Sequence, residues 1–415
     1  MLLPKYFNYF KKIYLLFLLT KNLIFFPLNI LYLISFLIPR KPNSWCIGGW
    51  EGEQFRGSCQ YFYQFLKNKK NLEVYWITKN KNLFRKFNKK DKNFLYAFSI
   101  LGFYHLLRSK KLIFSHGLYD FIPTFTGGSK KIMINHTTYP IKEMSFYKNI
   151  KQFHFLKKLF FFINSPFNYL KPDFEIVSSE KNKFGIFLDE NNNHEKKRII
   201  GLGLPKTDYL ISLLNKTKLS QNFKLINKYF PNSNVKSKLI LFLPTWRSEK
   251  SFSIFNFGYD NNLIQNFLKK HNLFLLVNFH PFDNNKITKK NIANNNRVKF
   301  LNLQNDEINN IFYLSDILMT DFSSIFSDFL IFDKEIVFAK FDYLSYQKER
   351  RIKVNYDKLP GFKITDWDEF TICISKILKD KSINKSLRSL YKYKIYEKNT
   401  SGDNCSNIFK FIANL

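Results

Sequence analysis

Cysteine and acidic residues are both scarce in this sequence. Among 415 residues there are four cysteines, and 32 acidic residues face 66 lysines and arginines, giving a formal charge of +34. No cysteine belongs to a Cys-x-x-Cys pair or has histidines at zinc-ligand spacing, which excludes the common zinc motifs and predicts that there is no metal site. We expect free buried thiols in a reducing compartment.

The shortage of acid does not by itself identify a partner. A strongly basic chain favours contact with nucleic acid, anionic lipid or phosphorylated substrates. However, the sequence is rich in Lys, Asn, Phe and Ile, which an AT-rich genome favours. It has no RNP, zinc-finger or helix-turn-helix signature, so we predict no nucleic-acid partner. Hydrophobic residues make up 45% of the chain, which excludes global disorder and predicts a sizeable core.

An uninterrupted apolar stretch long enough for an ordinary membrane span is also missing. Residues 13–38 are mostly apolar, but Lys21 and Pro27 interrupt them, and residues 23–38 fall short of the roughly 20 that a span needs. No small-residue cleavage site follows, so we predict no signal peptide. We expect residues 1–40 to form a helix pair in the cytoplasmic leaflet, making the protein peripheral or monotopic. A single tilted span and a buried core helix are the alternatives.

After residue 40, short apolar strands alternate with helical stretches. The first block contains SWCIGG, EVYWIT, KKLIFSHG, KKIMINH, FEIVSS and RIIGLG, and the second contains LILFLPT, LFLLVNFH, RVKFLN, DILMT and EIVFA. This alternation is typical of parallel sheets with helices on both faces. We predict an α/β fold with two doubly wound, Rossmann-like domains, residues 41–205 and 206–415, that face a cleft.

The strand DILMT ends in a polar group and leads directly into a helical stretch. Asp321, Ser323 and Ser324 lie at this carboxyl end, where open parallel sheets bind their ligands. Serine is a good helix N-cap, and the free N–H groups of a helix N-terminus bind phosphate. The stretch is therefore either a phosphate site or an ordinary capped helix.

Two neighbouring strands of the same block also end in polar residues. "LPTWR" places Thr245 and Arg247 after one strand, and "NFHP" places His280 after the next. Arginine can bind a phosphate through two parallel hydrogen bonds, and histidine can donate to it or transfer a proton. Three polar groups at three strand ends favour the phosphate site over simple capping.

These motifs resemble those of the CDP-glycerol glycerophosphotransferase family, the teichoic-acid and capsule polyol-phosphate transferases. The resemblance lies in "PTWR", the strand-ending "HP" and "SDILMTDFSSIFSDF", where Phe322 replaces the family's Tyr. "GLGLPKTDYL" is similar to a further motif, with Lys206 in place of Arg. "FDYLSYQKER" matches through Asp342, Tyr346 and Arg350, and "YDKLPG" matches a later Pro-Gly.

In the first half of the chain the resemblance is carried by "NHTTYPIK", which is similar to the family's Trp-His-Gly-Thr-Pro-x-Lys. His136 and Lys142 match, whereas Asn135 replaces Trp and Thr137 replaces Gly. One extra residue precedes Pro140. These departures around His136 put the acceptor-binding site in question more than the donor-binding site. The resemblance covers roughly residues 45–365.

The resemblance implies a GT-B-like fold and a polyol-phosphate transfer without a cofactor. The first domain would bind a lipid-linked or polymeric acceptor at the cytoplasmic face of the membrane. The second would bind a CDP-polyol donor, and CMP would be released. His136 would be the catalytic base, with His116 in "FSHG" as its rival.

The remaining implied roles concern the donor. His280, which would also be catalytic, would hold the pyrophosphate and stabilise the departing CMP together with Arg247, Thr245, Ser323 and Ser324. Asp321 would orient a hydroxyl or His280. Lys206 would line the cleft. Further candidates are Lys142, Asp328, Tyr346 and Arg350.

Two other classes of function remain open at this point. A nucleotide-sugar glycosyltransferase on the same fold would attack carbon instead of phosphorus and would release CDP or UDP. A non-enzymatic basic protein on membranes or nucleic acid would leave the polar strand ends unexplained.

Overall fold

The computed structural model describes most of the chain, with several gaps. The described residues are 28, 30–142, 170–214, 224, 226–247, 253–279, 296–301 and 305–415. His280 and most of the predicted membrane-associating segment, residues 1–40, therefore lie outside them.

The chain divides into two compact units. The first unit comprises the described residues within Met1–His136, Ser145–Lys206 and Asn404–Leu415, and the second those within Thr137–Met144 and Thr207–Asp403. This division lies close to the predicted boundary after residue 205, but the segments 137–144 and 404–415 each belong to the opposite unit. The assignment of acceptor and donor to the two domains stays a prediction.

The first unit is built on a parallel sheet. Its strands in the described residues are β1 (Lys41–Ile47), β2 (Glu73–Thr78), β3 (Phe94–Tyr96), β4 (Ser109–Phe114), β5 (Lys130–Ile134), β6 (Phe174–Ile176) and β7 (Ile199–Ile200). Their order is β3-β2-β1-β4-β5-β6-β7, and every pairing is parallel. The order reverses between β1 and β4, which is where doubly wound sheets bind ligands.

The second unit repeats this architecture. Its strands in the described residues are β8 (Lys238–Leu243), β9 (Leu273–Asn278), β10 (Val298–Leu301), β11 (Ile317–Thr320), β12 (Glu335–Ala339) and β13 (Phe362–Ile364). Their order is β10-β9-β8-β11-β12-β13, again entirely parallel. This is the Rossmann strand order, with the reversal between β8 and β11.

Helices connect the strands. The α-helices in the described part of the chain are α1 (Gly57–Leu66), α2 (Lys81–Asn88), α3 (Ile100–Arg108), α4 (Asn193–Lys196), α5 (Pro205–Leu214), α6 (Asn261–Lys270), α7 (Asn305–Leu314), α8 (Ile325–Phe329), α9 (Tyr343–Arg350), α10 (Trp367–Lys379), α11 (Lys385–Tyr396) and α12 (Asn404–Ala413). Helix α12 packs Ile408 and Ile412 into the core of the first unit.

Alternate residues of the second sheet enter two separate cores. Leu239 and Leu241 pack into one hydrophobic cluster, whereas Ile240 and Phe242 pack into the other. Successive side chains of a strand point to opposite faces, so both faces of the sheet are covered. The predicted α/β fold with parallel sheets is confirmed.

Two strands were not anticipated from the sequence. Neither Phe94–Tyr96 nor Phe362–Ile364 is among the strands predicted from the sequence. Each has three residues and lies at the edge of its sheet. A run of three residues carries no clear periodicity, so only pairing with the neighbouring strand identifies it.

Part of the N-terminal segment is described and packs on the first unit. Arg40 donates hydrogen bonds to the backbone oxygens of Ser35 and Leu106, both at 2.9 Å. The side chains of Leu33 and Leu37 are 65% and 80% exposed to solvent. Within the described ranges, no helix combines the length and apolarity needed to cross a bilayer. The predicted membrane association therefore stays a prediction.

Candidate active site

In the second unit, Asp321 joins the ends of two adjacent strands. Its carboxylate follows β11 and accepts hydrogen bonds from the backbone N–H of Thr245, at 2.9 and 3.0 Å, and from the Thr245 hydroxyl. Thr245 follows β8, the neighbour of β11 in the sheet. Asp321 thus connects the two strand ends, and the role predicted for it, to orient a hydroxyl or His280, stays a prediction.

Arg247 lies between two carboxylates and is 3% exposed. Its Nε and Nη2 donate to Asp342 at 2.7 and 2.9 Å, Nη2 also donates to Asp321 at 2.9 Å, and Nη1 donates to the Thr245 carbonyl at 2.6 Å. Burial lowers the pKa of Arg247, but the two carboxylates outweigh it, so the pKa is raised and the side chain stays charged. The predicted direct grip on a phosphate is untested. The geometry favours a role in holding the strand ends together.

A stack of rings supports the guanidinium. The Tyr346 ring lies 4.3 Å from the Arg247 guanidinium and stacks on the Phe322 ring at a centroid distance of 4.3 Å. Lys142 Nζ donates to the Tyr346 hydroxyl at 3.2 Å, and burial lowers the pKa of Lys142. The sequence placed Lys142 in the first domain, but the structure places it in the second unit beside Tyr346.

Ser323 and Ser324 lie half-buried at the start of a short helix. The Ser323 hydroxyl accepts a 3.3 Å hydrogen bond from the Ile325 N–H, whereas Ser324 is the N-cap without a capping side-chain bond. Helix α8 has five residues and continues as a 3-10 turn. So short a helix contributes little dipole, and any phosphate contact would depend on the hydroxyls and local N–H groups.

Two other candidates of this unit, Arg350 and Asp328, contact different neighbours. Arg350 lies 5.4 Å over the Trp246 ring and pairs with Glu349 at 3.3 Å. Asp328 accepts a 2.6 Å hydrogen bond from the Thr138 hydroxyl. His280, beyond the end of β9, lies outside the described residues.

In the first unit, both candidate bases follow strands and their rings stack. His116 follows β4 and His136 follows β5; the ring centroids are 4.2 Å apart at an interplanar angle of 14°. Trp50 follows β1, and its ring centroid lies 4.4 Å from that of His116. The structure therefore brings together the two histidines between which the sequence left a choice.

Hydrogen bonds distinguish the two histidines. His136 Nδ1 lies 3.2 Å from the Ser115 carbonyl, which can only accept, so Nδ1 carries the proton and the neutral ring has its lone pair on Nε2. His116 Nδ1 accepts from the Trp50 N–H at 3.3 Å, so its neutral ring is protonated on Nε2. Burial, followed by His136 and Arg56, lowers the pKa of His116 well below its usual value. Of the two neutral rings, that of His136 has its lone pair on Nε2, and the choice of catalytic base stays a prediction.

Two residues at this edge were missed by sequence reasoning. Asp120 is fully buried and accepts from the backbone N–H groups of Glu51, Ser115 and His116 at 2.6, 2.7 and 3.1 Å; burial raises its pKa to about 6. The Arg56 guanidinium lies 3.1 Å above the Trp50 ring. The only signal for Asp120 was an isolated acid within an apolar stretch.

Lys206 supports the backbone of the candidate base. Its Nζ donates to the His136 carbonyl at 3.0 Å, within the first unit. The sequence predicted that Lys206 lines the cleft. That prediction stays untested.

Comparison with known proteins identifies relatives of this chain. The family model for CDP-glycerol:poly(glycerophosphate) glycerophosphotransferase matches residues 30–414. The chain is 23% identical to the teichoic acid poly(glycerol phosphate) polymerase of Bacillus spizizenii over 385 residues, covering 89% of this chain and 88% of that protein. It is 25% identical to the teichoic acid ribitol-phosphate polymerase TarK of Staphylococcus aureus, covering 52% of this chain and 41% of that protein. It covers 32% of the length of the ribitol-phosphate polymerase TarL of the same organism.

A solved structure of the wall teichoic acid polymerase TagF, the H444N variant with CDPG, has a similar fold. Its TM-score is 0.66 at 19% identity, with 95% of each chain covered. The family match spans nearly the whole chain, including both sheets and all the described candidate residues. This chain belongs to the CDP-glycerol:poly(glycerophosphate) glycerophosphotransferase family.

Proposed function

We propose that this chain transfers glycerol phosphate, or a similar polyol phosphate, from a CDP-activated donor to a hydroxyl of a lipid-linked or polymeric acceptor. The single observation that carries the proposal is a family match that includes the polar strand ends of both sheets. Several curated relatives are much longer than the part this chain matches, so the activity is inferred from that shared region.

His136 is the proposed base. Its Nδ1 donates to the Ser115 carbonyl, which directs the Nε2 lone pair away from that bond. Nε2 takes the proton of the acceptor hydroxyl while the oxygen attacks the phosphorus that carries the polyol. The bond from this phosphorus to the CMP oxygen breaks, and CMP leaves with the electron pair. Because its lowered pKa keeps His116 neutral, the protonated His136 gains no charged histidine neighbour.

The second unit supplies the proposed donor site. Ser323 and Ser324 would contact the pyrophosphate, with His280 completing the set from the end of the neighbouring strand. Asp321 and Arg247 would hold the strand ends in place and would not contact the pyrophosphate, because their polar atoms already bind each other. Lys142 and Tyr346 flank this network, and Lys142 would supply positive charge next to the departing CMP.

Membrane association is proposed for the N-terminal segment. Leu33 and Leu37 are exposed apolar side chains at its described end. Residues 13–27 are mostly apolar and contain Lys21, and three further lysines lie at positions 5, 11 and 12. An apolar segment next to basic residues favours an anionic lipid surface. It would hold the enzyme at the cytoplasmic face, where a lipid-linked acceptor is accessible.

The direct test is to follow nucleotide release from a panel of CDP-polyols with membranes as the source of acceptor. We expect CMP release and incorporation of the polyol phosphate into the acceptor. Release of CDP or UDP from a nucleotide sugar would instead identify a glycosyltransferase. Absence of turnover with every CDP-polyol would overturn the proposal.

A further inference from the structure

Two motif residues from opposite halves of the chain form one buried hydrogen bond. Thr138, in "NHTTYPIK", donates through its hydroxyl to Asp328 Oδ1 at 2.6 Å, although 190 positions separate them. Thr138 is 0% and Asp328 is 7% exposed. Both belong to the second unit. A buried hydrogen bond to a charged acceptor is among the stronger ones, because water cannot replace either partner.

The described residues that follow His136, 137–142, make further contacts in the second unit. The Ile141 carbonyl accepts a 2.9 Å hydrogen bond from the Lys353 N–H, and Lys142 forms an antiparallel bridge with Ile352. The Tyr139 ring lies edge-on to Phe326 at a centroid distance of 5.9 Å.

The backbone at His136 is held by separate contacts in the first unit. Lys206 Nζ donates to its carbonyl and its own Nδ1 donates to the Ser115 carbonyl. Consecutive Cα atoms are about 3.8 Å apart, so the Thr138 Cα lies within roughly 7.6 Å of the His136 Cα. A restraint on Thr138 is therefore a restraint on the peptide that leaves the candidate base.

We propose that Thr138 and Asp328 are positioning residues for His136, acting through the two intervening peptide bonds. This inference rests on the proposed function, because it takes His136 to be the base. The Thr138–Asp328 hydrogen bond fixes the backbone after His136, while Lys206 fixes its carbonyl.

A third side chain keeps the pair in place. The Tyr396 hydroxyl donates to the Ser327 carbonyl at 2.8 Å, next to Asp328. Burial, with a further contribution from Asp328, raises the pKa of Tyr396 well above its usual value, so this hydroxyl stays protonated.

The test compares Thr138→Val with Thr138→Ser. Valine keeps the volume but loses the hydroxyl, whereas serine restores the donor. Displacement of a reacting group by about 1 Å can cost about a hundredfold in rate. We therefore expect Thr138→Val to lower the turnover of CMP release by at least about tenfold, with the donor Kd changed by less than about twofold. Thr138→Ser should recover most of the turnover.

A matched control is Thr126→Val. Thr126 is likewise 0% exposed and donates through its hydroxyl to the Pro123 carbonyl at 2.7 Å, but it lies in the turn before β5. We expect this variant to keep wild-type turnover. Asp328→Asn is the second test variant, because it retains an acceptor oxygen while removing the charge. We expect an intermediate loss of turnover.

The outcomes separate the two proposals. If the wild type does not release CMP, the proposed function fails and this inference fails with it. If the wild type is active and Thr138→Val turns over as fast as Thr126→Val, only the positioning role is overturned. A donor Kd that weakens in parallel with turnover would also overturn it, because the pair would then shape the donor site. Should Thr138→Val fail to fold, wild-type turnover in Asp328→Asn would count against the proposal.

Discussion

Replacement of Arg247 by alanine tests whether this side chain holds the second unit together. The substitution leaves Asp321 and Asp342 without the guanidinium that now bridges them. The side chains of the two acids are 4% and 11% exposed, so water can solvate them only in part. Removing one partner of a buried ion pair costs about 3–5 kcal/mol, because the remaining charge stays buried.

The expected change in melting temperature follows from this cost. For a unit of roughly 200 residues, each kcal/mol shifts the melting temperature by about 2–4 °C. We therefore expect Arg247→Ala to lower the melting temperature by about 6–20 °C. Arg247→Lys keeps the positive charge but cannot bind Asp342 through two parallel hydrogen bonds, so its loss should be smaller.

The assay is thermal unfolding followed by circular dichroism, beside calorimetric titration with CDP-glycerol. Arg350→Ala is the matched control, since its ion pair with Glu349 is 38% and 33% exposed and should contribute less than about 1 kcal/mol. A melting temperature for Arg247→Ala within about 2 °C of wild type would refute the reasoning. A stable Arg247→Ala that binds the donor at least tenfold more weakly would instead support the direct phosphate contact predicted from the sequence.

Three further predictions concern donor, base and membrane. Ser323→Ala combined with Ser324→Ala should lower donor affinity at least about tenfold with only a few degrees of melting-temperature loss, because a cap hydroxyl contributes only about 1 kcal/mol; unchanged affinity in calorimetry contradicts the phosphate role. His136→Ala should abolish CMP release but keep donor binding, and full activity would transfer the base role to His116. Removal of residues 1–27 should reduce co-sedimentation with anionic vesicles while activity on a short soluble acceptor persists; a truncated protein that still sediments fully counts against an N-terminal anchor.

Much of the fold was predictable because it depends on local pattern. Short apolar runs separated by helical stretches indicate parallel strands, and the carboxyl ends of such strands share one edge of a sheet. This pattern places Thr245 and Asp321 at the same edge of the sheet, and the structure joins them by hydrogen bonds. The three-residue edge strands, β3 and β13, escaped prediction because they are defined by their neighbours and not by their own sequence.

The sequence by itself determined which chemistry-bearing residues follow strands, and with it the family resemblance. Only the tertiary structure decided their partners. Arg247 binds Asp342, 95 positions away, and Thr138 binds Asp328, 190 positions away, so that a segment from the first half of the sequence belongs to the second unit. The choice between His116 and His136 likewise depends on which ring nitrogen faces a carbonyl. Such pairings follow from strand order, burial and side-chain direction, which arise when distant segments pack and leave no trace in local periodicity.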